Sequence, residues 1–133
     1  MKNELLFIAI ILGIAISGCV SNKTETIVDG VVTVEAGKYV DYKFSVPSQA
    51  SISGNFTASG GSGNDIRVLI LDETSYINWI NGHNVSTYYD SGQITTGSIT
   101  ASVPKGSYYL VYSNTFSIAS TKNVKTKVDV TSS

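Results

Sequence analysis

V-P-K-G-S-Y-Y-L-V-Y-S-N-T-F-S, from Val103 to Ser117, opens on a Pro-Lys-Gly turn, runs on through Tyr108 to Tyr112 and is stopped by Asn114. In an extended chain successive side chains alternate between faces. Tyr108, Leu110 and Tyr112 therefore share one face, and Tyr109 and Val111 share the other. A strand apolar on both faces is covered on both sides and belongs at the centre of a sheet. The rest of the chain reads as strands arranged to cover it.

Asp65 to Leu71 contains Val68, Leu69, Ile70 and Leu71 in succession and is apolar on both faces, so it is the expected partner of that strand. Lys38 to Val46 alternates, with Val40, Tyr42, Phe44 and Val46 against Asp41, Lys43 and Ser45. Pro47, which has no amide hydrogen to donate, ends it. Ala50 to Ala58 repeats the pattern: Ala50, Ile52, Gly54, Phe56 and Ala58 inside, Ser51, Ser53, Asn55 and Thr57 outside. Ile99, Ala101 and Val103 alternate with Thr100 and Ser102 into Pro104. Val124, Thr126, Val128 and Val130 alternate with Lys125, Lys127 and Asp129, which suggests an edge strand with one solvated face. The β-branched segment Ile27 to Val34 is the expected first strand, with Gly37 turning after it. Thr87 to Gly92 is a short extended segment that turns at Ser91-Gly92.

Two stretches depart from strand rhythm. Ser59 to Asn64 is a glycine-rich, flexible loop by composition, and Thr115 to Lys122 is a connection. In Asp72 to His83 the residues Tyr76, Ile77, Trp79 and Ile80 have helical spacing. Thr74 or Ser75 is placed to cap and Gly82 to terminate, which predicts a short helix or structured loop plugging one end of the core. The sum is an all-β fold: an antiparallel, jelly-roll-like β-sandwich of about eight strands with one short helix or structured loop.

The 133 residues suit one domain. Lys plus Arg number 9 against 10 Asp plus Glu, so the concentrated basic face that nucleic-acid binding needs is not expected. Cys19 is the single cysteine, which excludes an intrachain disulfide. Leu5 to Ile16 is an apolar run of signal-peptide length behind a short polar start, too short to span a membrane. Ile16-Ser17-Gly18-Cys19 follows it. That tetrapeptide resembles the lipobox of prokaryotic lipoproteins, which implies cleavage before Cys19 and a lipid on its sulfur. The expected organisation is a removed signal peptide (1–18), a lipidated cysteine and polar tether (19–26) and one sandwich domain (27–133). The protein is then exported and anchored at the outer face of the cell membrane through lipid on Cys19.

Gly106 to Ser117, followed by Lys122-Asn-Val124, resembles the closing part of Golgi-dynamics (GOLD) domains. The likeness covers roughly the last thirty residues and extends loosely upstream through Phe44-Ser-Val46, Ile52-Ser-Gly54 and Val68-Leu-Ile70. It implies a compact β-sandwich that binds protein. Val111 stands where the cargo receptors of that family have a disulfide cysteine, and no trafficking role is carried over. A weaker resemblance, to the pre-peptidase C-terminal domains of secreted hydrolases, rests on Asp65 to Leu71 and the Gly-x-Tyr-Tyr strand.

Tyr76, Trp79, Tyr88 and Tyr89, with His83, are the candidate binding face for an extracellular protein or glycan, because aromatic rings present large rigid contact area. The competing assignment for Trp79 and Tyr76 is core, and Tyr88 and Tyr89 cannot both point inward. His83 is the sole histidine. No Gly-x-Ser-x-Gly elbow accompanies it, so a small hydrolase is the lesser alternative and a non-catalytic module the expectation. Asp65, Asp72 and Asp90 carry calcium-type oxygen ligands and supply the other alternative, a calcium-stabilised accessory domain, although turn and cap roles also suit them. One histidine and one cysteine do not make a zinc site, and no cofactor is expected. Asn22, Asn55 and Asn84 each open an N-glycosylation sequon, and Asn55 is expected to face outward.

Overall fold

A computed structural model describes residues 22–61 and 63–133; the expected signal peptide, Cys19, Val20 and Ser21 lie outside the described residues. The elements run β1 (Lys23–Val34), β2 (Tyr39–Val46), β3 (Ala50–Ser59), β4 (Ile66–Asp72), α1 (Glu73–Ile80), β5 (Tyr89–Ile94), β6 (Thr96–Val103), β7 (Gly106–Ser113) and β8 (Lys122–Ser132). They form two four-stranded sheets with strand orders β1-β8-β3-β6 and β2-β7-β4-β5. All pairings are antiparallel. Consecutive strands change sheets at every step except β4 to β5, where α1 intervenes. This is the jelly-roll order, an eight-stranded double sheet of two Greek keys.

The alternating patterns become the facing inner surfaces. Ile52, Phe56, Ile99, Val103, Val124, Val128 and Val130 from the first sheet pack against Val46, Ile66, Val68, Ile70, Tyr108, Leu110 and Tyr112 from the second. Gly54 lies hard against the neighbouring β8: a Cβ there would meet the Lys127 carbonyl oxygen at 2.3 Å. The buried phenol of Tyr112 is not left unpaired. It lies 2.7 Å from Thr126 Oγ1, whose hydroxyl donates to the Asn55 carbonyl at 2.8 Å, so the core holds a satisfied polar relay.

The Tyr-rich strand β7 lies between β2 and β4, as its two apolar faces require, and β4 is the neighbour that its own two-sided pattern predicts. What covers the outer face differs from expectation. Leu69, Leu71 and Val111 form a second buried cluster, closed by Tyr76, Trp79, Val85 and Tyr109. The helix therefore lies along the outer face of the second sheet and does not plug an end of the core. Apolar residues on the outer face of β4 and β7 demand a lid, and α1 with its following loop supplies it.

Four further expectations change. Of the cap candidates it is Asp72, also read as a calcium ligand, and not Thr74 or Ser75, that caps α1: its Oδ1 accepts the Ser75 amide hydrogen at 2.7 Å. Gly82, at φ +83, does end the helical segment, donating to Trp79 O at 3.0 Å. The first strand begins at Lys23, inside the expected tether, and pairs with β8 out to Ser132. A bulge between Thr26 and Val28 lets Ile27 and Val28 both pack on the core. The strand β8 is not an edge but lies between β1 and β3; its charges mark the solvated face of a central strand. Gly92, at φ +67, lies inside β5 beside a register shift between Arg67 and Leu69, so Ser91-Gly92 makes a bulge and not a turn.

Candidate functional site

The lid over the second sheet is positioned by a ladder of three contacts. In β2 the outward residues are Tyr39, Asp41 and Lys43; in α1 the residues three apart, Trp79, Tyr76 and Glu73, meet them in reverse order. Tyr39 and Trp79 pack edge to face with ring centroids 5.1 Å apart. The Tyr76 hydroxyl donates to Asp41 Oδ2, and Lys43 Nζ lies 3.0 Å from Glu73 Oε2. Helix side chains at i and i+3 share a face and strand side chains at i and i+2 share a face, so α1 runs antiparallel to β2. Tyr76 also stacks on Tyr109 at 3.7 Å. Desolvation, with the Asp41 hydrogen bond second, pushes the Tyr76 phenol well above its ordinary range.

Beyond Gly82 the chain turns back over β4, and a cleft of about 410 Å³ opens beneath it. Trp79, His83, Asn84, Val85 and Thr87 line one side, and Arg67, Leu69 and Asp90 line the other. Arg67 and Asp90 form a bidentate pair, with Nε to Oδ1 at 3.0 Å and Nη2 to Oδ2 at 2.7 Å. The guanidinium holds the Asp90 carboxyl below its ordinary range, against a smaller opposing effect of burial. An indole, an imidazole, an amide and a fixed ion pair thus share one open cleft. That mixture presents apolar ring area beside fixed hydrogen-bonding groups.

The five residues expected to make one face do not. Trp79 and His83 line the cleft. Tyr76 is held under the helix on Tyr109. Tyr88, 40 % exposed, packs edge to face on Tyr108 and lines a separate depression with Asp72, Pro104 and Lys105. Tyr89 packs against the core and donates to the Ser98 carbonyl at 2.9 Å. One of the adjacent tyrosines faces out, as alternation requires. Among the described residues no hydrogen bond joins the His83 ring to a hydroxyl or carboxylate.

The calcium candidates are also apart. Asp65 contacts Lys122, Asp72 caps α1 and Asp90 pairs with Arg67. Among the described residues no group of three or more His, Cys, Asp or Glu side chains converges on a metal position. Asn22, Asn55 and Asn84 are all exposed; Asn55 lies on the open outer face of the first sheet.

Sequence reasoning missed Lys122, placed within a connection. Its side chain is 2 % exposed, beneath the β3–β4 loop. The ammonium donates to Asp65 O at 2.7 Å, Asp65 Oδ1 at 3.1 Å and Asn114 Oδ1 at 3.2 Å, and lies 5.0 Å from the centre of the Phe116 ring. The Asn114 amide donates in turn to Val34 O and Ser120 O. Asn114, Phe116 and Lys122, which fall within the stretches that resemble GOLD domains, therefore form one cluster that ties the β7–β8 connection to β1 and the β3–β4 loop. A larger groove, about 510 Å³, runs between the edge strands β1 and β2 past Ile27, Tyr42, Phe44 and Val130. It is the open side of the sandwich and contains none of the expected site residues.

No family model matches this chain, and no curated protein matches it. Solved structures that resemble it include a chain of the disulfide-linked pili that form Bacillus endospore appendages. That chain is 12% identical, with a TM-score of 0.48, covering 92% of this chain and 98% of the other. A CBM4 structure is 12% identical with a TM-score of 0.42, covering 82% and 77% respectively. Neither likeness bears on partner or activity. Among the described residues no helix is long and apolar enough to cross a membrane.

Proposed function

We propose that the protein is a surface lipoprotein, anchored through lipid on Cys19, whose jelly roll is a non-catalytic binding module with the α1–β5 cleft as its site. The observation that carries this is the cleft itself, where Trp79 and His83 meet the Arg67–Asp90 pair and Asn84. Its mix of ring area and fixed polar groups suits an extracellular glycan segment, which offers apolar ring faces and a rim of hydroxyls. The resemblance to GOLD domains supports a binding role, and the lipobox-like tetrapeptide ending at Cys19 supports the anchor.

Trp79 is the sole tryptophan, so intrinsic fluorescence reports directly on the cleft. Titrating the protein with a panel of cell-envelope glycans is expected to shift Trp79 emission saturably for at least one of them. Arg67→Ala is expected to abolish that shift, since it removes the guanidinium and frees Asp90. A flat response across the panel overturns the glycan assignment. Saturable binding that persists in both Arg67→Ala and His83→Ala moves the site elsewhere. Intact mass of the membrane-extracted protein tests the anchor: a chain beginning at Cys19 with added acyl mass is expected, and an unmodified Cys19 removes it.

A further inference from the structure

The shortness of the link between Cys19 and the first sheet residue fixes how the domain stands. Lys23 is already paired with Ser132, so Cys19 precedes the sheet by four residues. An extended chain spans at most about 3.6 Å per residue, which limits the link to about 14 Å. Strand register identifies the end of the sandwich that this link holds down. Lys23 and Ala50 both pair with Ser132, Ala50 pairs with Val103, and Val46 pairs with Gly106. The turns Pro47–Gln49 and Pro104–Lys105 therefore sit at the same end as the link.

The opposite end lies about 30 Å away, the rise of β3 from Ala50 to Ser59. There Val34 meets Lys122 and Tyr39 meets Ser113. The surfaces of the two ends differ in composition. The link-side turns expose Pro47, Gln49, Pro104 and Lys105, and Lys23 is exposed beside them. That composition suits lipid headgroups and does not suit penetration into acyl chains. The far end carries Ile118, 97 % exposed, and Tyr39, 36 % exposed.

Resting on the lipid anchor at Cys19, we infer that the domain stands upright, with the Pro47–Gln49 and Pro104–Lys105 turns as a membrane-contact surface at headgroup level and the β7–β8 connection displayed outward. In the mature protein the Cys19 thiol is consumed by lipid, so an introduced cysteine is the one reactive thiol. The full lipidated chain, carrying a fluorophore at Gln49→Cys or at Ala119→Cys, is placed in phosphatidylcholine vesicles containing a nitroxide-headgroup lipid. Quenching is expected to be several-fold stronger at position 49 than at position 119. Inserting a long Gly/Ser spacer between Cys19 and Lys23 is expected to remove that difference.

Equal quenching at the two positions with native spacing, or stronger quenching at 119, overturns the orientation. A difference that survives the spacer also overturns it, because the short link would not be what sets the pose. An unmodified Cys19 in the intact mass of the same preparation overturns the anchor instead. That failure is distinguished by being read from mass and not from fluorescence.

Discussion

A lysine just past a loop, before a strand with charges at alternate positions, reads as solvated; Lys122 instead has three oxygen partners and an aromatic ring. Removing one side of a fully buried ion pair costs about 3–5 kcal/mol, but the Asp65 side chain left behind is 27% exposed and can be rehydrated. Lys122→Ala is therefore expected to lower the unfolding free energy by about 2–3 kcal/mol, through its lost hydrogen bonds and the buried oxygens left unpaired. Asn114→Ala, which loses hydrogen bonds but leaves the Asp65 contact, should cost about 1–3 kcal/mol. Urea unfolding of the two variants checks the order. A smaller loss in Lys122→Ala than in Asn114→Ala would show that the carboxylate contributes little. Asp90 gives the pH dependence. Its carboxyl is depressed by Arg67, so the pair stabilises the fold above the unfolded carboxylate value near 3.9 and is lost as pH falls through the lower folded value. The Arg67 side chain is 39% exposed, and solvent screening holds the contribution to about 1 kcal/mol or less. Asp90→Asn is expected to flatten the acid limb of the stability curve by that amount and leave its shape above pH 6 unchanged.

At the scale of elements, strand faces were legible because burial on one side writes itself as alternation. Val40 to Val46, Ala50 to Ala58 and Ile99 to Val103 all point as the pattern indicates. Which strands are edges was not legible. Lys125, Lys127 and Asp129 report a wet face, and a central strand in a sheet with one open face has that same pattern. The polar run Lys23 to Thr26 hid a strand for a related reason: Thr24, Glu25 and Thr26 lie along an exposed edge, so nothing in their hydropathy marks the pairing. The helix was legible by its period but its place was not, because period says which residues share a face and not which surface that face covers. Its cap is the element's weak point. Asp72→Ala is expected to cost about 1 kcal/mol and Asp72→Asn little, since the asparagine oxygen still accepts the Ser75 amide hydrogen. Thermal unfolding of the pair decides between the cap and the carboxylate charge as the source.

At the scale of the molecule, the aromatic set read from sequence as one binding face is dispersed. Tyr76 and Trp79, three apart on a helix, point the same way, yet one lies over Tyr109 and the other beside the turn at Gly82. Adjacent Tyr88 and Tyr89 necessarily diverge. Spacing located the region; only the path of the chain after Gly82 brings Arg67 and Asp90 beneath His83. Those two residues lie on strands, one in a run read as scaffold, and nothing in their local sequence associates them with Trp79.

The pairing of β1 with β8 has a consequence for how the chain reaches this state. Among the described residues β1 has one sheet neighbour, β8, from Lys23 against Ser132 to Val34 against Lys122. The same last strand is what joins β1 to β3. During synthesis, then, β1 must wait for β8 before it has a strand to pair with, and no nascent product that stops short of β8 contains a complete first sheet. Assembly is governed by the closure of one very long loop, which places this molecule among the slow, high-contact-order folders. A polypeptide still emerging from a narrow conduit would lack its first sheet until β8 was through.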